Sequence, residues 1–338
     1  MQASAVPRQG PFMMIRAPLP QRCCACTGSV AITARLAEVS VVVAAYNQGP
    51  WLAQAIESVR AQTFVDWELV VVDDGSTDET PSIVARYAAD ARVVYIRQAR
   101  AERSTARNRG IAASSGRLVA FLDADDLWRP EKLAHQIAAL AADPAAGLCY
   151  TIARFIDSAG RPLPIRKPLR PLSGDVFARL MRGNVLILAS VVARRVCLDA
   201  VGGFDRAVTP YGCEDWDLWL RIARRWPIAV VDEELTLYRR HGGNTSWEGV
   251  LASALVVVDR WYADPETARR TGLSRGTVRA LQLWVNAAAL AGEDRAAAAR
   301  LALRALRESP AAALGRSALA TAAGLLLPHA LVAALRRR

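Results

Sequence analysis

The sequence predicts an α/β fold in which a mostly parallel central sheet is flanked by helices. Short, continuously apolar runs such as VSVVVAA and RLVAFL alternate with stretches that show helical periodicity. The apolar runs end at Asn or Asp residues, which favour turns. A strand that is apolar on both faces is typical of a parallel sheet covered by helices on either side.

The first half of the chain shows this alternation most clearly. A helix is predicted after the first strand, because Leu52, Ile56 and Val59 recur at intervals of three to four residues. A second helix is predicted to begin at Ser76, with Glu79 completing a capping box, and a third covers residues 106–113. The strands are predicted at VSVVVAAYN, WELVVVDD, residues 92–97 and RLVAFLDAD.

The pattern becomes less regular after about residue 140. Strands are expected near residues 147–151, 188–194 and 235–239, and a helix at residues 214–225. Beyond residue 250 the chain is rich in Ala, Leu and Arg and has a helical texture. We therefore divide the chain into a flexible N-terminal extension (1–37), a globular domain (38–249) and a helical C-terminal region (250–338).

The net charge of +11 is concentrated at the two ends of the chain. The first 37 residues contain four Arg and no acid, and residues 260–338 contain thirteen Arg and five acids, so the middle is nearly neutral. This distribution argues against a nucleic-acid-binding protein and favours a domain whose ends contact an anionic surface. The six cysteines form no disulfide framework, which fits a reduced, cytoplasmic setting.

Carboxylates follow two of the predicted strands. Asp73 and Asp74 end the second strand, and Asp123 and Asp125 end the fourth. Residues two apart in an extended chain face the same side, so Asp123 and Asp125 are expected to point into one space. Mg²⁺ or Mn²⁺ would relieve their repulsion, with phosphates and water as further ligands. An acidic turn that is merely solvated is the competing interpretation of this motif alone.

A second cluster of acids lies in YGCEDWDLWLRIARRW, where Trp216 and Trp219 belong to the apolar face of a predicted helix. Glu214 and Asp215 then occupy its first turn. Such acids often only stabilise the helix N-terminus. The alternative is that Asp215 is a general base that takes a proton from an acceptor hydroxyl. A single acid without a nucleophilic partner suits a single displacement with inversion.

Taken together and in this order, VSVVVAAYNQGPWLAQAIESVRAQTFVDWELVVVDDGSTDET, STARNRGIAASSGRLVAFLDADDLW, GGFD and EDWDLWLRIA resemble glycosyltransferase family 2. Members of this family are inverting enzymes with the GT-A fold. The resemblance spans roughly residues 38–245. It implies a Rossmann-like part that binds a nucleotide-sugar (38–128), an acceptor side with the catalytic base (129–249), and Mg²⁺ or Mn²⁺ as cofactor.

The resemblance also implies roles for individual residues. The backbone around Ala45 and Tyr46 and the side chain of Asp74 would hold the nucleotide base, with Asp73 beside them. Asp123 would contact the ribose or the metal, and Asp125 would be the principal metal ligand. Further matches to the family are His241 near the metal or phosphates, Asp215 as the catalytic base, and Arg107 and Asn108 near the donor.

Some of these positions allow other interpretations. Asn108 would serve equally well to fix a turn, and an isolated His such as His241 is often structural. The family commonly has Asn-x-Gly where this sequence has Arg100, Ala101 and Glu102. That difference leaves donor specificity open. The Q-x-x-R-W signature of processive synthases is absent, which indicates transfer of a single sugar.

The expected donor is a nucleotide-sugar, with a UDP-sugar favoured, and the expected acceptor is a saccharide or a lipid-linked saccharide. The apolar stretch 318–335, bordered by arginines, is short for a spanning helix. We expect either a peripheral contact with anionic lipid, at the inner face of the plasma membrane, or a helical cap on the domain. A nucleotidyltransferase and an inactive nucleotide-sugar-binding module are the alternative functions.

Overall fold

The computed structural model describes residues 14–15, 37–164, 171–208, 212–243, 245–291 and 294–326. A nine-stranded sheet forms the centre of this described part, in the order β1-β4-β3-β2-β5-β8-β7-β9-β6. The strands are β1 (Met14–Ile15), β2 (Val39–Ala45), β3 (Trp67–Asp73), β4 (Val93–Arg97), β5 (Leu118–Asp123), β6 (Leu127–Trp128), β7 (Leu148–Ile156), β8 (Val191–Arg194) and β9 (Ile228–Arg239).

Strand direction differs between the two halves of the sheet. β4, β3, β2 and β5 are parallel, as the apolar runs predict. β8 is antiparallel to both β5 and β7, whereas β7 and β9 are parallel and β6 is antiparallel to β9. The sheet is therefore mixed beyond β5. Buried strands of either direction can have the same apolar composition, so the sequence pattern did not reveal this change.

The register of the parallel strands brings their carboxyl ends to one edge. Ala45 pairs with Asp73, Asp73 pairs with Arg97, and Ala44 pairs with Asp123. The acidic residues that follow β3 and β5 consequently lie at the same edge of the sheet, where ligands of open α/β folds bind.

Helices cover both faces of the sheet. Leu52, Ile56 and Val59 pack on one face, and Trp216 and Trp219 are buried on the other. Both tryptophans thus belong to the core, as their apolar spacing predicts. The helices of this domain are α1 (Gly49–Arg60), α2 (Thr80–Ala85), α3 (Arg103–Ala113), α4 (Lys132–Ala142), α5 (Phe177–Leu180), α6 (Arg195–Val201) and α7 (Glu214–Ala223).

The predicted capping box at Ser76 was wrong. α2 begins at Thr80, and the side chain of Glu79 makes no capping hydrogen bond. The Ser76 hydroxyl instead accepts a hydrogen bond from the Asn47 backbone N–H at 3.0 Å. Ser76 therefore joins the loop after β3 to the loop after β2, a long-range contact that local spacing does not show.

The C-terminal region is helical, as expected. It contains α8 (Trp247–Tyr262), α9 (Pro265–Thr271), α10 (Arg275–Leu290), α11 (Arg295–Glu308) and α12 (Arg316–Leu326). α8 packs Val257 and Val258 into the same core as Trp216. No helix in the described part of the chain is both long enough and apolar enough to cross a membrane. Residues 327–335 of the apolar stretch lie outside the described residues.

Two residues of the N-terminal segment differ from the expectation of a flexible extension without a strand. Met14 pairs with Ile96 and Ile15 pairs with Tyr95, so this short strand is antiparallel to β4 at the edge of the sheet. The remainder of that expectation concerns residues 1–13 and 16–36, which lie outside the described residues.

Candidate active site

Asp125 and His241 meet at the carboxyl edge of the sheet. Asp125 lies in the turn between β5 and β6, and His241 follows β9. Nε2 of His241 is 2.9 Å from Oδ2 of Asp125. The imidazole also packs on the indole of Trp51, with the ring centroids 4.1 Å apart. The structure thus brings together Asp125 and His241, two of the three residues that the resemblance places near a metal.

Arg239 supports this pair and was not identified from the sequence. Its Nε donates to the backbone oxygen of Asp125 at 2.7 Å, and its backbone N–H donates to Oδ1 of Asp126 at 2.8 Å. Its Nη2 donates to Gln54 Oε1 at 3.0 Å, and the whole residue is buried. A signal was present in YRRHGG, because Arg239 lies two positions before His241 and residues two apart in an extended chain face the same side.

Arg107 connects the end of β5 with the start of α7. Its Nη2 donates to Asp123 Oδ1 at 2.8 Å, and its Nη1 donates to Glu214 Oε1 at 2.5 Å. Burial opposes the charge on Glu214, but Arg107 and Arg103 lower the pKa of this carboxyl below its usual value. Glu214 therefore stays ionised inside the protein.

Asp215 follows Glu214 in the first turn of α7. Burial, and then the neighbouring charge of Glu214, raise the pKa of Asp215 to about 7. Oδ2 of Asp215 accepts a hydrogen bond from Nδ2 of Asn184 at 3.1 Å. A carboxyl with a pKa near neutrality is suited to general-base catalysis. Asn184 lies in an irregular segment, and nothing in the local sequence pattern pointed to it.

Asn108 fixes a turn, which was the alternative interpretation of this residue. Its Nδ2 donates to the backbone oxygen of Phe204 at 2.7 Å, and its Oδ1 accepts from the Phe204 N–H at 2.8 Å. Gly203 lies against this carboxamide with φ of +67°, and a Cβ there would be 2.7 Å from Asn108 Oδ1. The GGFD motif therefore needs glycine at position 203, both for its backbone conformation and for space.

The residues assigned to the nucleotide base also lie together. The backbone oxygen of Ala45 accepts a hydrogen bond from the N–H of Asp74 at 2.8 Å. Oδ2 of Asp73 accepts from the Tyr95 hydroxyl at 2.6 Å, and Oδ1 accepts from the Ser76 N–H at 2.8 Å. The side chain of Asp73 thus binds neighbouring protein groups and is fully buried.

Asp74 holds the loop that joins β4 to α3. Its Oδ1 accepts from the Ala101 N–H at 2.9 Å, and its Oδ2 accepts from the Glu102 N–H at 3.0 Å. The same loop places the Arg100 guanidinium 3.4 Å above the centre of the Tyr46 ring. Asp74 and Tyr46 are therefore both in contact with the loop in which this sequence departs from Asn-x-Gly.

Glu102 adopts an uncommon backbone conformation in this loop, with φ of 80° and ψ of 156°. This region of φ and ψ is essentially restricted to glycine. The conformation directs the Glu102 N–H to Asp74 while its backbone oxygen accepts from the N–H of Ala106 in α3. The position that is commonly glycine in the family thus keeps a glycine-like backbone here.

The carboxylates at this edge suit a cation that is only partly ligated by protein. Asp125 and His241 offer an oxygen and a nitrogen on adjacent side chains, whereas Asp123 binds Arg107. Among the residues that the structure describes, no group of three His, Cys, Asp or Glu side chains is arranged to hold a metal. Mg²⁺ and Mn²⁺ accept one or two protein ligands when phosphates and water complete the coordination, so the donor set fits a metal shared with a diphosphate.

Comparison with known sequences identifies relatives of the globular domain. A sequence profile described as Glycosyl transferase family 2 matches residues 40–187. An uncharacterized glycosyltransferase of Nostoc sp. is 30% identical over 230 residues, which cover 64% of this chain and 69% of that protein. An uncharacterized glycosyltransferase of Rickettsia bellii is 31% identical over 216 residues, and this match spans 63% of the chain but only 30% of the Rickettsia protein.

Solved structures share the fold. S. aureus TarS 1-349 in complex with UDP-GlcNAc has a TM-score of 0.59 and 16% identity, over 89% of this chain and 92% of that one. The mannosyltransferase PcManGT from Pyrobaculum calidifontis, in complex with GDP-Man and Mn²⁺, has a TM-score of 0.57 and 20% identity, over 90% of this chain and 88% of that one. These similarities confirm the expected GT-A architecture, including its C-terminal helices.

Proposed function

Because this chain belongs to glycosyltransferase family 2, we propose that it moves a single sugar from a nucleotide-diphosphate-sugar to an acceptor hydroxyl, with inversion at the anomeric carbon. A UDP-sugar is the favoured donor. The acceptor is a saccharide or a lipid-linked saccharide of cell-surface polysaccharide or glycolipid synthesis. The protein works in the cytoplasm, at the inner face of the plasma membrane, which its C-terminal region contacts peripherally.

The contacts of Arg107 are the observation that carries this proposal. They connect Asp123, at the end of a donor-side strand, to Glu214, which precedes the candidate base Asp215. The base is thereby held beside the carboxylates at the edge of the sheet. A glycosyl transfer by single displacement needs this combination, in which a proton acceptor lies next to the donor and no second carboxylate acts as nucleophile.

In the proposed reaction, a carboxylate oxygen of Asp215 accepts the proton of the acceptor hydroxyl. The hydroxyl oxygen forms a bond to the anomeric carbon while the bond from that carbon to the diphosphate oxygen breaks. Attack opposite the departing diphosphate inverts the configuration. Mg²⁺ or Mn²⁺ held by Asp125 and His241 would supply positive charge where the diphosphate leaves.

Asn184 and Arg107 have positioning roles in this scheme. The Asn184 amide holds Oδ2 of Asp215, which leaves the other carboxylate oxygen near the N-terminus of α7. Arg107 fixes Glu214, whose negative charge raises the pKa of Asp215. Burial and these contacts give Asp215 a pKa of about 7, so the carboxyl is partly ionised at neutral pH and accepts a proton readily.

A thermal-shift experiment tests the donor site. The purified chain is mixed with UDP-, GDP-, dTDP- and CDP-sugars, each with and without Mn²⁺, since a ligand that binds only the folded state raises its apparent stability. We expect a Mn²⁺-dependent shift with one nucleotide class, UDP first. Asp125→Ala should lose this shift, whereas Asp215→Asn should keep it.

Product analysis then tests the reaction. Glycosyl transfer releases the nucleoside diphosphate, whereas a nucleotidyltransferase would form a bond to phosphorus and release a different product. Asp215→Asn should bind the donor but make no glycosylated product. Transfer at the native rate by Asp215→Asn would refute the assignment of the base, and release of a sugar 1-phosphate instead of the nucleoside diphosphate would favour the nucleotidyltransferase.

A further inference from the structure

One exposed face of α11 combines leucines with arginines. The opposite face of this helix packs Ala298, Ala302 and Ala305 into the C-terminal helical core. The outward residues follow one another at intervals of one to three positions and form a continuous stripe, because residues three and four apart are neighbours on a helix. This stripe consists of Arg300, Leu303, Arg304, Leu306 and Arg307.

The leucines of this stripe are not covered by the rest of the described chain. Leu303 is 58% exposed and Leu306 is 39% exposed. The 3₁₀ helix that follows α11 (Pro310–Leu314) ends with Leu314, which is 87% exposed. Single exposed leucines are common, but several on one helix and its extension indicate a contact surface. We refer to Arg300, Leu303, Arg304, Leu306, Arg307 and Leu314 as the α11 face.

In the described part of the chain, no acid compensates the charge of the α11 face. None of Arg300, Arg304 and Arg307 forms an ion pair with any residue that the structure describes. The acid at the end of the helix, Glu308, turns toward α10 and binds Arg279 at 3.0 Å. The face therefore presents three free guanidinium groups among leucines.

We propose that the α11 face docks on an anionic lipid surface. The leucines would enter the boundary between head groups and acyl chains, and the arginines would bind lipid phosphates. This inference rests on the proposed membrane contact and assigns it to a surface that the sequence did not single out. The apolar stretch suggested by the sequence begins in α12, but α12 buries Ala318 and Thr321 against its neighbouring helices.

The composition of the α11 face favours lipid over other occupants. Face-to-face pairing with a second copy would bring six arginines together without an acid between them. A nucleic acid would use the arginines but would leave the leucines without apolar contacts. A lipid surface offers both phosphates and hydrocarbon, which match the two kinds of side chain on this face.

Vesicle co-sedimentation of the full chain tests the proposal. Vesicles of phosphatidylcholine alone are compared with vesicles that also contain phosphatidylglycerol. We expect binding to the anionic vesicles that weakens as salt is raised. The triple variant Arg300→Gln, Arg304→Gln, Arg307→Gln should bind roughly a hundredfold more weakly, since each arginine near an anionic surface contributes to binding.

A matched control removes the same charge elsewhere. Arg86, Arg161 and Arg269 are exposed residues outside this face, and their replacement by Gln should leave vesicle binding within about twofold of native. The pair Leu303→Ser and Leu306→Ser should weaken the part of the binding that persists in high salt. Unfolding temperatures verify that each variant is folded.

Three results would overturn the lipid assignment: equal binding to neutral and anionic vesicles, equal loss in the triple variant and its control, or concentration-dependent self-association that the triple variant abolishes. The last result would indicate a second copy as the occupant. Donor-induced thermal shifts are measured separately on the same variants. A missing donor-induced thermal shift would contradict the proposed function but not the lipid contact. Missing vesicle binding would contradict the lipid contact but not the proposed function.

Discussion

Nε2 of His241 contacts Oδ2 of Asp125 at 2.9 Å across 116 positions of the chain. Trp51 packs on the imidazole, and Arg239 holds the backbone of Asp125. The pair is thus fixed from two sides. Such support would preorganise the pair for the proposed metal, because little conformational freedom would remain to be lost on binding.

His241→Ala should weaken Mn²⁺-dependent donor binding by about tenfold or more, since it removes one of two adjacent ligands. The measurement is a Mn²⁺ titration of the donor-induced thermal shift. His135→Ala is the control, because His135 is exposed and pairs only with Glu233 among the described residues. An unchanged Mn²⁺ requirement in His241→Ala would show that this histidine is structural.

The pKa of Asp215 leads to a prediction for the pH dependence of transfer. Its carboxylate must be ionised to accept a proton, and burial and Glu214 raise its pKa to about 7. The value of kcat/KM should therefore fall about tenfold per pH unit below that value and level off above it. Initial rates from about pH 5 to about pH 9 give the profile. A flat profile across neutral pH would contradict the role of this base.

The raised pKa of Asp215 also leads to a prediction for how the free energy of unfolding depends on pH. The folded pKa lies above the ordinary value of 3.8, so the folded state holds an extra proton between those two values. The contribution of this carboxyl to the free energy of unfolding is fully present at low pH, below its unfolded pKa. It is lost as the pH rises through the folded pKa. Relative to native protein, Asp215→Asn should become more stable across this interval, as urea denaturation at several pH values would show.

Arg107→Met should destabilise the fold by about 3–5 kcal/mol, because Glu214 would keep a buried charge without its closest partner. Unfolding in urea measures the change. The double variant Arg107→Met, Glu214→Gln should recover part of the loss, since the buried charge of Glu214 is removed and only Asp123 then lacks its Arg107 partner. Arg60→Gln, which breaks an exposed ion pair, should cost less than about 1 kcal/mol. Equal costs for the two single variants would contradict the importance of burial.

Glu102→Gly should raise the free energy of unfolding by about 1–3 kcal/mol, because glycine adopts this backbone conformation without strain. Arg103→Gly is the neighbouring control. Arg103 begins α3, and glycine within a helix costs about 0.5–1 kcal/mol. An increase in the free energy of unfolding for Glu102→Gly together with a decrease for its control would identify backbone strain at Glu102. A decrease for both variants would exclude that strain.

Local patterns predicted the parts of the fold that depend on nearby residues. The apolar runs placed β2, β3 and β5, and the spacing of apolar residues placed α1 and α7. The position of the site followed, because carboxyl ends of parallel strands meet at one edge. These features need no knowledge of distant residues.

Local patterns did not predict the contacts between residues that are far apart in the sequence. Arg239 and Asn184 support Asp125 and Asp215 from segments far away in the chain. Ser76 binds Asn47 instead of capping a helix. Each of these side chains has several possible partners, and only the packing of the whole domain selects one. The resemblance placed Arg107 near the donor, but neither of its partners, Asp123 and Glu214, was foreseen.

The contacts of Arg107 with Glu214 also bear on when the candidate site is completed during folding. They span 107 positions of the chain, so they cannot form until synthesis has passed Glu214. The parallel strands β2 to β5 can therefore pair before α7 docks. A growing chain that has reached only the turn after β5 already contains Asp123 and Asp125, but not the candidate base Asp215 or His241. The candidate site is thus completed late, once the whole domain has been synthesised and has folded.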